Sequence, residues 1–104
     1  MNEAELVVTV LRTKLEAPWF VLGKSIDDRA RTCTISVDFT SGAKFEKGGG
    51  PGPHPVVDTK VKCYEYLKCG PYQYILKVNA ACVQPADGPA YQAEPPFARS
   101  LVAL

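Results

Sequence analysis

The chain has one histidine, one tryptophan, one methionine and four cysteines among its 104 residues, and each scarcity closes off a kind of chemistry. Cys33, Cys63, Cys69 and Cys82 form no C-x-x-C pair, so the ligand spacing of structural zinc sites and of dithiol redox centres is missing. A reducing compartment argues against a disulfide framework, and the strand phase of three of the four makes them small core residues. A nucleophile–base pair of the Cys-His kind would need His54 to meet a thiol, and nothing in the order of residues brings them together. No apolar run approaches the ~20 residues that span a bilayer. Met1-Asn2-Glu3-Ala4-Glu5 is acidic where a secretory signal is basic, so the cytoplasm is the expected location and no membrane partner is expected.

An excess of positive charge is also lacking. Twelve basic against eleven acidic residues leave a net charge of +1, whereas phosphate neutralisation by a basic surplus supplies most non-specific nucleic-acid affinity. A DNA-binding role would have to rest on a local patch. What is present is ordinary for a folded protein: 46% apolar and 22% charged residues, enough for one domain over residues 1–104 and one modest core.

Residues 2–15 predict a helix. Asn2 can cap it with Glu5 reaching back, and Leu6, Val7, Val10, Leu11 and Leu15 fall on one face. Pro18 ends that element. Trp19–Ile26 and Thr32–Phe39 predict a hairpin, the second strand from its alternation of Cys33, Ile35, Val37 and Phe39 with Thr32, Thr34, Ser36 and Asp38. Strand character resumes near Val57 and runs through Cys63 to Leu67. After a turn at Gly70-Pro71 it continues from Tyr72 to Val83. Residues 85–96 hold four prolines and read as irregular, and 97–104 could begin a helix. The sum is an α+β fold: an N-terminal helix against an antiparallel sheet of about four strands.

Gly48-Gly49-Gly50-Pro51-Gly52-Pro53-His54-Pro55 has glycines without the helix that a phosphate-binding loop requires, so it reads as a flexible surface connection. The stretch with Lys60, Lys62, Tyr64, Tyr66 and Lys68, continued by Tyr72 and Tyr74, interleaves cations with rings, the way single-stranded nucleic acid is held. The same pattern is also that of a strand's solvent face with half-buried tyrosines.

In order along the chain stand Pro18-Trp19-Phe20-Val21, Ile35-Ser36-Val37-Asp38-Phe39, a glycine turn at 48–52, Val56-Val57-Asp58-Thr59, Tyr64-Glu65-Tyr66-Leu67, Ile75-Leu76-Lys77-Val78, Gln84-Pro85-Ala86-Asp87-Gly88 and Pro96-Phe97-Ala98-Arg99. This succession resembles the N-terminal zinc-finger domain of the IS-L-three family of insertion-sequence DDE transposases. In that family C-P-x-C-G and C-P-x-H-G knuckles hold a zinc ion. On the resemblance, the knuckle ligands correspond to Lys47, Gly50, Gln84 and Asp87, so the ligands are lost and no metal or other cofactor is expected. The resemblance implies degenerate zinc-ribbon-like knuckles lying side by side, with Lys47 and Asp87 free to pair.

The functional expectation is a non-enzymatic binding module that contacts DNA or a transposase-like protein partner, with no small-molecule substrate. Lys60, Lys62, Tyr64, Tyr66 and Lys68 would make any nucleic-acid contact. The rival expectation is a small phage-type or host structural or interaction protein, an assembly or inhibitory factor unrelated to transposition. A remnant without selected function is the third.

Overall fold

A computed structural model describes residues 2–104. The helix α1 spans Glu3–Lys14, and Asn2 caps it by accepting the Glu5 N–H at 2.8 Å. Glu3 and Glu5 in the first turn and Arg12 and Lys14 in the last complement the helix dipole. Its buried face is Ala4, Val7, Val8 and Leu11. That corrects the expected face, because Leu6 and Val10 are 54% and 43% exposed. The helix is apolar on more than one side, so periodicity alone leaves its rotation open. With Ala4, Val7, Val8 and Leu11 turned inward, the Glu3 carboxylate reaches the sheet and accepts from the Tyr74 hydroxyl at 3.2 Å.

Seven strands follow: β1 (Trp19–Asp27), β2 (Thr32–Phe39), β3 (Lys44–Phe45), β4 (His54–Cys69), β5 (Tyr72–Val83), β6 (Tyr91–Ala93) and β7 (Val102–Ala103). They form one sheet in the order β1-β2-β5-β4-β3, with β6 added to β5 and β7 to β4. The α+β class holds, but the expected four-stranded antiparallel sheet is corrected twice. β3, β6 and β7 are two or three residues long, too short to carry a period-2 signal. The β1–β2 hairpin also docks through β2 on β5, not on β4, and that contact is parallel from Thr32↔Gln73 to Val37↔Val78. The irregular segment 85–96 therefore contains a strand. The expected C-terminal helix is a single 3₁₀ turn, Pro96–Ser100, that leads into β7.

The β4–β5 hairpin sets the shape. Sixteen residues in β4 at about 3.3 Å each account for the longest dimension of 48 Å, against 24 and 21 Å across. Cys33, Ile35 and Val37 of β2, Tyr74, Leu76 and Val78 of β5 and Tyr64 of β4 turn to the face that packs under α1. The opposite face is mostly polar along β2 and β5, where Asn79 donates to Asp38 at 3.0 Å. Of the four cysteines only Cys33 is fully in the core; Cys63, Cys69 and Cys82 are half-buried.

β6 lies on the side of β5 away from β4, and β7 on the side of β4 away from β5. The chain between them must therefore cross the hairpin. It does so over the core face, with Pro95 and Ala98 buried and Phe97 edge-on to Tyr66 at 6.4 Å. This strap completes the layer that α1 begins.

Candidate functional site

The residues singled out in the sequence fall in two places, and a third place emerges only from the fold. The first is the end of the molecule where β3, β4, β5 and β6 meet. The turn at 46–50 is closed by Glu46 N–H donating to the Gly50 carbonyl at 3.0 Å and Gly49 N–H to the Glu46 carbonyl at 3.2 Å. The turn at 84–88 is closed by the Gln84 side-chain amide, which donates to the carbonyls of Pro85 and Gly88 at 3.0 Å each. Lys47 of one turn and Pro85, Asp87 and Gly88 of the other line one depression of about 260 Å³, together with His54, Pro89 and Tyr91. The turns thus face a common space. Lys47 and Asp87 make no ion pair; among the described residues the one ion pair is Lys62–Glu94. Nor do three His, Cys, Asp or Glu side chains converge there or elsewhere among the described residues. His54 stands near the Tyr91 ring, 6.4 Å between centroids, with no cysteine lining the depression.

Hydrogen bonds and packing join this end. The Trp19 indole donates to the buried Gly49 carbonyl at 2.8 Å, and the Tyr91 hydroxyl donates to the Phe45 carbonyl at 3.1 Å. Trp19, Phe39 and Phe45 pack mutually with centroids 5.1–5.5 Å apart, each pair worth about 0.5–1.5 kcal/mol beyond area burial. The glycine segment is therefore not the flexible connection its composition predicts. Gly49, at φ +92°, has the Glu94 carbonyl oxygen 1.9 Å from where a Cβ would lie, so the glycine is needed for close backbone approach.

The second place is the lysine–tyrosine row of β4, and the fold divides it. Tyr64 is 4% exposed and donates its hydroxyl to Glu94. Lys62 pairs with Glu94 at 3.5 Å and lies 5.7 Å from the Tyr64 ring centroid. The hydrogen bond with Tyr64 raises the Lys62 pKa, with the Glu94 charge acting the same way against desolvation. Burial raises the Tyr64 and Tyr66 pKa values, and Tyr66 packs on Phe97. Lys60 and Lys68 remain exposed, and among the described residues neither lies over a ring. A base could stack on Tyr64 only after the strap lifted away.

The third place lies at the opposite end, between the start of α1 and the tips of both hairpins. Asn2, Glu3, Ala4, Ile26, Asp28, Cys33, Tyr72 and Tyr74 line a cavity of about 340 Å³. Burial, then the Glu3 carboxylate, pushes the Tyr74 pKa up to about 12. A hydrogen bond to Asp28 raises Tyr72, and one to Glu3 raises Cys69. Sequence reading missed this cavity because its polar groups come from four separated segments. The sole local signal was an acidic pair at each of two turns, Glu3/Glu5 and Asp27/Asp28. Glu3 and Asp28 already accept hydrogen bonds from Tyr74 and Tyr72, which is the economy of a structural network.

No protein-family model, curated protein or solved structure matches this chain. Among the described residues no helix is long and apolar enough to cross a membrane.

Proposed function

We propose that this chain is a non-catalytic, cytoplasmic binding module, a metal-free relative of the transposase N-terminal domain that contacts a protein partner in preference to nucleic acid. The observation that carries the preference is the fate of the β4 row. Tyr64 and Lys62 are consumed by Glu94 and the strap, so the β4 part of the row offers no open ring with a cation beside it, and the half-exposed ring of Tyr72 is engaged by Arg31 and Asp28. The exposed apolar side chains that remain, Phe20, Leu22, Val57, Val61 and Val102 among them, suit a protein surface. The facing turns at 46–50 and 84–88 support the relationship to the zinc-finger domain, since those are the segments a shared metal would have joined. The rival reading, an assembly or inhibitory factor, shares the protein partner and differs in whether that partner is a transposase.

Retention on DNA at about 50 and about 200 mM salt tests the preference. The expected result is weak retention with a shallow salt dependence, unchanged when Lys60, Lys62 and Lys68 are all replaced by Glu. Steeply salt-dependent binding that this triple variant abolishes would overturn the reading in favour of nucleic acid.

A further inference from the structure

The two open edges of the sheet are unequal. On β4 the run between β3 and β7, residues 57–62, carries Asp58, Lys60 and Lys62, charges of the kind that discourage strand pairing. On β1 no strand among the described residues pairs with the outer side. From Trp19 to Ile26 its one charged residue is Lys24, while Phe20, Leu22 and Ile26 are 40%, 65% and 47% exposed. A long apolar edge of this sort is where a sheet associates.

Backbone phase tells which partner fits. Thr40 N–H donates to the Pro18 carbonyl at 3.0 Å, so Pro18 is turned toward β2. Alternation then turns Phe20 toward β2 as well and leaves the backbone groups of Trp19 and Val21 facing outward. The register shift between Val21 and Gly23 inserts Leu22 as an extra residue, and beyond it the outward-facing residues are Lys24 and Ile26.

We propose that β1 pairs antiparallel with β1 of a second copy of this chain, about a twofold axis between Leu22 and Gly23. In that register Val21 lies opposite Lys24 of the second copy, and Trp19 opposite Ile26. Outward-turned backbone groups meet outward-turned groups, in both directions, because the bulge displaces both strands equally. The Trp19 N–H is already given to the Glu16 carbonyl at 3.0 Å, so there the Trp19 carbonyl accepts from Ile26. The side-chain faces agree too. Trp19, Val21, Lys24 and Ile26 pair with Phe39, Val37, Ile35 and Cys33, which puts them on the core side, and Phe20, Gly23 and Ser25 are on the other with Leu22. Leu22 falls beside Gly23 of the second copy, and a Cβ at Gly23 would meet nothing within 4 Å, an open notch for the leucine. Lys24 faces no like charge, and a net charge of +1 gives two copies little cause to repel. Moving the register by one residue would lose the match of backbone and of faces together.

Sedimentation equilibrium of the full chain at concentrations up to about 0.5 mM is the test. It is expected to show a reversible species of twice the 11.3 kDa chain mass. Lys24→Pro removes an outward N–H that β2 does not use, so the monomer keeps its fold while the dimer dissociation constant rises about 30-fold or more. Gly23→Leu fills the notch without touching the β1–β2 ladder and weakens the dimer by its own route, which keeps the test decisive should the proline variant fail to fold. A chain that stays monomeric throughout, or a dimer that is indifferent to whichever of these variants folds, would overturn the proposal.

Discussion

The two ends of this molecule solve the same packing problem in opposite ways. At the end built around Phe45, backbone and rings fill the space: Gly49 and Gly52 bring main chain against main chain, and β5 is buried on both phases, with Ala80, Ala81 and Val83 all at 0% exposure. At the end built around Tyr74, a cavity is left open, and polar side chains from α1, the β1–β2 turn and β5 hydrogen-bond around it. At the first end an added atom has no room at Gly49 or Gly52, although the depression beside His54 stays open, while the second end responds mainly to changes of charge. Substitutions that add volume should separate the ends from one direction, and changes of pH from the other.

The largest effect expected is that of Gly49→Ala. The new Cβ would collide with the Glu94 carbonyl, 1.9 Å away, at a φ of +92°, and either the turn or β6 must move. A loss of about 3 kcal/mol or more in urea denaturation is the expected outcome. Gly42→Ala is the contrast, since its φ of +80° is also left-handed but nothing lies within 4 Å of the added carbon. It should cost about 1 kcal/mol, the conformational part alone. Equal losses at the two positions would mean that the crowding of the Phe45 end has no energetic weight.

That crowding also marks where the sequence stops being legible. β2 and β5 begin and end where their alternation predicts, because β2 buries one face along its length and β5 does so from Tyr74 to Ala80, which gives the period room to declare itself. The glycine–proline segment misleads for a physical reason. Glycine next to proline signals only that regular structure is broken, and the broken segment can either hang in solvent or press against the body. Trp19 decides between them here, from thirty residues away. The β4 row misleads in the same manner. Lysine and tyrosine in alternation describe one strand, and whether the rings stay open depends on residues 94–101 crossing above them. Lys47 and Asp87, which the sequence reading set beside each other, line a common space but make no ion pair.

At the Tyr74 end the expected effect is intermediate and appears at high pH. Tyr74 has its pKa pushed up to about 12, against about 10 in an unfolded chain. The folded state thus holds the phenolic proton more tightly, so stability is intact below about pH 10 and is lost as pH rises toward about 12. Burial and Glu3 cause the shift at Tyr74, and Tyr64, Tyr66 and Tyr72 are raised in the same direction. Urea midpoints should fall across that window, and Tyr74→Phe should flatten part of the fall while lowering stability at neutral pH. A midpoint that stays level to pH 12 would contradict the burial of the Tyr74 ring.

The smallest effect should appear at one thiol. Cys69 has its pKa raised, first by a hydrogen bond to Glu3, then by desolvation and by the Glu3 charge. Glu3→Ala removes both contributions of the carboxylate. It leaves the Asn2 cap in place, since that bond goes to Glu5. More of Cys69 is then thiolate near neutral pH, although a thiolate of lower pKa is intrinsically less nucleophilic and offsets part of the gain. The net expectation is an increase of about two- to fivefold in the rate at which Cys69 is alkylated, read site by site by mass spectrometry. Cys82 lies near the far end of β5, opposite Asp58, and its rate should not change, because the electrostatic reach of Glu3 is confined to its own end. Acceleration at both thiols would indicate that losing Glu3 loosens the whole sheet. In that case the carboxylate would be holding α1 in its rotation more than it tunes its neighbours.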